Sequence, residues 1–115
     1  MKDPTDPAWA QDAATLEYLA WIKKFYPGGD PADILNVYSY SATQTLIQVL
    51  KQCGDDLTRE NVMKQAASLR TFVLPMLLPG ITVNTSPTDY RPIKQMQLIR
   101  FDGTRWVRFG DVIGQ

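Results

Sequence analysis

The chain has 115 residues, 44% hydrophobic and 21% charged, with Lys plus Arg equal to Asp plus Glu at 12 each. This is the composition of an ordinary globular chain of about one domain, and a formal net charge of zero supplies no electrostatic pull toward nucleic acid or an anionic membrane. It contains no histidine, the commonest general base and metal ligand, and its single cysteine, Cys53, excludes an intrachain disulfide or a multi-cysteine metal site.

Residues 1–11 are rich in turn formers. Pro4 and Pro7 each hold the preceding residue in extended backbone, so no helix is expected before Asp12. The polar start MKDPTDPAWAQD lacks the pattern of a signal peptide, and no apolar run is long enough to span a bilayer. A first helix is expected over about 12–26, capped by Asp12. It carries Tyr18, Trp21, Phe25 and Tyr26, more aromatic surface than one neighbour would cover, and it ends at Pro27, Gly28 and Gly29. That glycine pair lacks the spacing of a phosphate-binding loop.

The longest helical pattern covers about 31–53. Asp30 suits its N-cap, Pro31 its first position, and Gly54 its C-terminal stop. Leu35, Tyr38, Ala42, Leu46, Val49 and Cys53 recur on one face, widened by Ile47 and Leu50. At 1.5 Å per residue such a helix runs roughly 35 Å. Its first half carries Tyr38, Ser39, Tyr40, Ser41 and Thr43, hydroxyls too many to share one core-facing side. This is the first place to seek a small ligand. A third helix is expected over about 59–70, capped by Thr58, with Val62, Met63, Ala66 and Leu69 inward.

From Thr71 the helical period stops. TFVLPMLLPG, interrupted by Pro75 and Pro79, reads as a buried extended connector over about 71–92 that begins a short strand near Ile81 and becomes a polar loop. Residues 93–112 read as a β-hairpin about Asp102-Gly103. A two-residue turn sets Phe101 opposite Thr104, Ile99 opposite Trp106, Leu98 opposite Val107 and Met96 opposite Phe109. Apolar pairs then fall on both faces, which asks for cover on both. Three helices followed by so little sheet suits the tail of a larger α/β protein.

No catalytic constellation is present. The paired carboxylates Asp30/Asp33 and Asp55/Asp56 stand where helix caps are expected, and Cys53 lies on an apolar stripe with no histidine to activate it. The aromatic cluster of Trp9 with the first helix suits packing or an interface better than a binding face.

Read in order, the helix start with its tyrosines, GDDLTRENV, PGITVNTSPTDY and FDGTRW carry a resemblance that covers nearly the whole chain. The sequence resembles the C-terminal part of type I periplasmic solute-binding proteins of ABC transporters, the group that receives branched-chain amino acids and aromatic carboxylates. The resemblance implies an α/β fold of two lobes joined by three crossovers, a solute held in the cleft between them, secretion to the periplasm and delivery to a membrane permease. It implies no enzymatic activity and no cofactor or metal. A receptor of this type is roughly three times longer, beyond one usual domain, so the chain is expected to be one C-terminal fragment, 1–115, that tends to self-associate. Transferred by position, Tyr40, and with it Tyr38 and Ser39, are the residues expected to line the solute cleft. The two tyrosines lean toward aromatic or bulky apolar solutes. The alternative is a stand-alone structural or self-association module without a ligand.

Overall fold

The computed structural model describes residues 1–114. It is a small α/β arrangement of three helices followed by a two-stranded antiparallel hairpin: α1 (Ala13–Phe25), α2 (Ile34–Cys53), α3 (Arg59–Ala66), β1 (Met96–Phe101) and β2 (Trp106–Ile113). A single 3-10 turn at Pro7–Trp9, capped by Asp6, interrupts the expected non-helical lead-in.

Caps set the helix starts. Asp12 accepts the backbone N–H of Thr15 at 2.9 Å and opens α1; Thr58 accepts that of Asn61 and opens α3. The start of α2 differs from the expectation. Asp30 accepts from Ala32 N, and its carbonyl accepts from the Asn36 amide, which holds residues 30–33 as a turn. Asp33 is the N-cap, accepting from Leu35 N at 2.9 Å, so the helix begins at Ile34 and Pro31 lies outside it. Gly54, at φ 58°, stops α2 as expected.

The third helix ends four residues short of its expected end. Buried Thr85 takes over there: its hydroxyl donates to the carbonyl of Ala66 and accepts from Leu69 N, while Thr85 N donates to Leu69 O. Arg70 adds a hydrogen bond to the Thr85 carbonyl. These bonds satisfy the last backbone groups without another helical turn. Beyond Thr71 the connector differs from the extended, buried path expected: turns closed by Leu77 N to Leu74 O and by Ile81 N to Leu78 O break it, and buried Leu74, Met76, Leu77, Ile81 and Val83 are interspersed with exposed residues. The strand near Ile81 is reduced to one bridge between Phe72 and Val83.

The connector organises the core. Leu74 and Leu77 join Val49, Cys53, Leu69, Ile81 and Val83 in one apolar cluster, which ties α2 to the chain beyond α3. Met76, between them in sequence, enters a second cluster with Tyr18, Ile22, Val37 and Tyr40, which ties α1 to α2. Lys2 N donates to Met76 O, so the N-terminal segment is laced to the same connector.

Two surfaces remain uncovered. On α2 the buried side chains are Val37, Tyr40, Ser41, Val49 and Cys53, so only Val49 and Cys53 of the expected apolar face point inward. Leu35, Leu46, Ile47 and Leu50 are exposed; Leu35 and Leu46 share the face of Val49 and Cys53 and lie opposite Val37 and Ser41. The hairpin is the second surface. Its register places Phe101 opposite Trp106, Arg100 opposite Val107, Ile99 opposite Arg108 and Leu98 opposite Phe109, two residues along β2 from the expected pairing. The cause is the loop: Asp102 Oδ1 accepts from both Thr104 N and Arg105 N, which closes a four-residue turn over 102–105 instead of a two-residue one. Beyond Leu98–Phe109 a bulge intervenes before Met96 pairs with Ile113, with Gly110 at φ 67° and its carbonyl accepting from the Gln97 amide. Met96, Leu98, Ile99, Phe101, Trp106, Phe109 and Ile113 are all exposed.

The radius of gyration, 15.9 Å, exceeds the about 13 Å expected for this length. The accessible surface, 7953 Å², likewise exceeds the about 6,300 Å² expected for a folded monomer of this mass.

Candidate functional site

The three residues expected at a solute cleft, Tyr38, Ser39 and Tyr40, lie on consecutive positions of α2 and therefore point in different directions. Tyr40 turns into the body. It is 9% exposed, its ring 5.3 Å from that of Tyr18 and 5.1 Å from that of Trp21. Burial, and then the charge of Glu17, push its phenol pKa above the ordinary value. Ser39 is exposed, and its carbonyl accepts from the Thr43 hydroxyl at 2.8 Å. Tyr38 is 57% exposed and stands at the rim of a small cleft. The structure thus does not bring the three together.

That cleft, about 150 Å³, lies between the first half of α2 and the connector. Ser41, Leu74 and Val83 are the buried part of its lining; Tyr38, Ala42, Pro92 and Ile93 are the exposed part. Ser41 is 2% exposed, and its hydroxyl has no hydrogen-bond partner. The neighbouring Thr45 hydroxyl donates to the Ser41 carbonyl at 3.0 Å. Of the hydroxyls on this helix, Thr43 and Thr45 thus return to carbonyls one turn back, whereas Ser41 is buried without a partner. The position of Ser41 in the hydroxyl run was readable; its isolation depends on how the connector crosses α2.

A larger, open cleft of about 630 Å³ separates the N-terminal segment from the hairpin. Ile99, Phe101, Trp106 and Arg108 line it from one side of the hairpin, and Trp9 from the other wall. The Arg108 guanidinium sits 4.5 Å over the Trp9 ring and Arg105 pairs with Asp6 at 3.3 Å. Both arginines that border this cleft are therefore already engaged. Among the described residues no group of three or more Cys, Asp or Glu side chains is placed to hold a metal ion, and no helix is long and apolar enough to cross a membrane.

Comparison of the chain with protein-family profiles, with curated proteins and with solved structures finds no match.

Proposed function

We propose that this chain is the C-terminal part of a type I solute-binding receptor that serves an ABC permease in the periplasm, and that it contributes one wall of a cleft for a small carboxylate or amino-acid solute. The proposal rests on the sequence resemblance. The structural observation that best supports it is the exposed Leu35, Leu46, Ile47 and Leu50 stripe of α2. A long helix with apolar side chains on two opposite sides fits a position between two layers, as in a larger α/β fold. The hairpin, apolar on both faces, asks for cover in the same way. In this reading Tyr38 is the residue that meets solute, and Tyr40 braces it from behind through the aromatic core.

The test is to express the chain joined to the coding sequence that precedes it in its genome. The joined protein is expected to be thermally stabilised by a branched-chain amino acid or a benzoate-type acid, with the amides of α2 gaining protection from hydrogen exchange. An upstream sequence that encodes no α/β lobes, or a folded joined protein that responds to none of these solutes, overturns the reading.

A second reading is favoured by the surface excess. Roughly 1,600 Å² of area beyond that of a compact monomer is enough for one partner's share of a large obligate interface. It describes a self-association module without a ligand.

A further inference from the structure

We propose that the outer edge of β1 is a dimerisation site, on which β1 of a second copy pairs antiparallel about a two-fold axis at Leu98 and joins the two hairpins into one four-stranded sheet. The inference rests on the reading of the chain as a self-association module and names the interface which that reading leaves open.

The first argument is the backbone. Asp102 N donates to Arg105 O at 3.1 Å, which fixes the phase of the hairpin ladder. Bonding between the strands then recurs at Arg100–Val107 and Leu98–Phe109, and the N–H and C=O groups of Gln97, Ile99 and Phe101 point away from β2. Among the described residues no other backbone segment bonds to these outward groups. A two-stranded hairpin is marginal by itself; a third strand or a packed helix is needed to hold it. Among the described residues of the hairpin, Val112 alone packs against either core cluster.

The two edges differ. β2 carries features that keep strand edges apart: the extra residues of the bulge, Gly110 at φ 67°, the exposed charge of Asp111, and Arg108 drawn over Trp9 of the N-terminal segment. β1 is MQLIRF, with no proline, no lysine and one charge. That charge, Arg100, lies over the Phe109 ring of its own hairpin, 6.0 Å from the ring centre, and so does not guard the outer edge.

A second copy fits this edge because β1 is complementary to itself. Outward-bonding residues must face one another, which permits a two-fold centre at Leu98, Ile99 or Arg100 near the middle of the strand. A centre at Arg100 sets two arginines directly opposite, and one at Ile99 leaves them diagonal neighbours. A centre at Leu98 sets Leu98 against Leu98 of the other copy, Ile99 against Gln97 and Arg100 against Met96, and moves the arginines to the two ends of the ladder. A formal net charge of zero adds no long-range repulsion between copies. The surface excess of roughly 1,600 Å² exceeds the about 800 Å² per partner of a standard interface.

The test follows the full chain by sedimentation velocity and by amide hydrogen exchange as concentration rises. A dimer is expected, in which exchange at Gln97 and Ile99 slows by about tenfold or more while that at Trp106 and Arg108, on the other edge, is unchanged. Leu98→Glu and Leu98→Lys are each expected to run as monomers, because each sets like charges opposite one another at the axis, and their equimolar mixture is expected to regain the dimer. A mere loss of apolar surface is not regained on mixing. Leu98 is exposed, so both variants are expected to fold, and the exchange pattern of the parent needs neither. A parent chain that stays monomeric overturns both this inference and the self-association reading. A dimer whose Gln97 and Ile99 amides exchange as freely as in the monomer, or variants that do not complement each other, overturns the β1 edge alone and leaves that reading standing.

Discussion

Tyr40 stands edge-on to Tyr18, their ring planes 67° apart and their centroids 5.3 Å apart, and this pair joins the first two helices. Such edge-to-face contacts add about 0.5–1.5 kcal/mol to the area that the rings bury. Tyr18 is fully buried and its hydroxyl donates to the Pro31 carbonyl at 3.3 Å, so the same ring also fixes the turn that precedes α2. Tyr40→Ala is therefore expected to destabilise the chain by about 3–5 kcal/mol, the range for removing a buried aromatic ring. Tyr40→Phe is expected to cost about 1 kcal/mol or less. Urea denaturation of both variants measures this. A Tyr40→Ala variant as stable as the parent would place the ring outside the core.

Asp12 does two tasks with one carboxylate. Its oxygens accept from Lys2 Nζ at 2.9 and 2.8 Å, and Oδ2 also caps α1 through Thr15. Hydrogen bonding from Lys2, more than that from Thr15, holds its pKa below the ordinary carboxylate value. Lys2 is buried, so Asp12→Ala removes a cap and leaves a buried ammonium without its partner. A loss of about 2–4 kcal/mol is expected. Asp12→Ser keeps a cap and removes the ion pair, and is expected to fall between Asp12→Ala and the parent. Thermal melts of the three proteins give the order; a melt for Asp12→Ser as low as that for Asp12→Ala would make the ion pair the whole effect.

The loop over 86–94 is expected to loosen in acid. Asp89 accepts from the side chain of Arg91, from its backbone N–H, and from Lys94, and these bonds depress its pKa far below the usual range. A depressed folded pKa stabilises the folded state fully above the unfolded value, about 3.9 for Asp. That contribution is lost as pH falls below about 4 toward the depressed value. Carboxyl NMR titration of Asp89, with stability measured from pH 6 downward, checks the window. Asp89→Asn is expected to flatten the slope there, and an unaltered slope would assign the acid sensitivity to other carboxylates.

Leu98 and Phe109 face each other across the hairpin, and both are exposed. With the α2 stripe also uncovered, the isolated chain is expected to associate with itself at low micromolar concentration. Replacing the pair as Leu98→Glu with Phe109→Lys keeps a favourable cross-strand contact and removes the apolar surface. Light scattering is expected to show association of the parent chain and a shift toward monomer in the double variant. A parent chain that runs as a clean 13.0 kDa monomer refutes the expectation.

Where a structural choice was local, it was readable in the sequence. Asp12, Thr58 and Gly54 sit at helix ends because their side chains or backbone freedom serve the adjacent turn. The expected start of α2 at Asp30 was three residues early: the N-cap is Asp33, and the Asp30 carbonyl is held in a turn by the Asn36 amide. The end of α3 was not legible, since it is set by Thr85, nineteen residues from Ala66. Nor was the inward side of α2. Its apolar residues occupy two sides, and the packing of α1, with Met76 of the connector, decides that Val37 and Tyr40 are covered while Leu35 and Leu46 are not. The candidate site divides in the same way. Periodicity placed a hydroxyl-rich turn on α2, but which hydroxyl is left without a partner depends on Leu74 and Val83, from a segment whose path sequence periodicity does not describe.

Cys53 ends α2 inside the cluster that joins this helix to Leu69, Leu74 and Ile81, and it is the only thiol in the chain. A thiol reagent can reach it only when that corner parts. The rate of labelling is then a clock for the opening of the corner by local or global unfolding, read from one atom that needs no engineering. If labelling runs as fast as global unfolding, the α2–connector corner is among the last parts of the chain to let go; if it runs much faster, the corner breathes while the aromatic junction around Tyr18 stays shut.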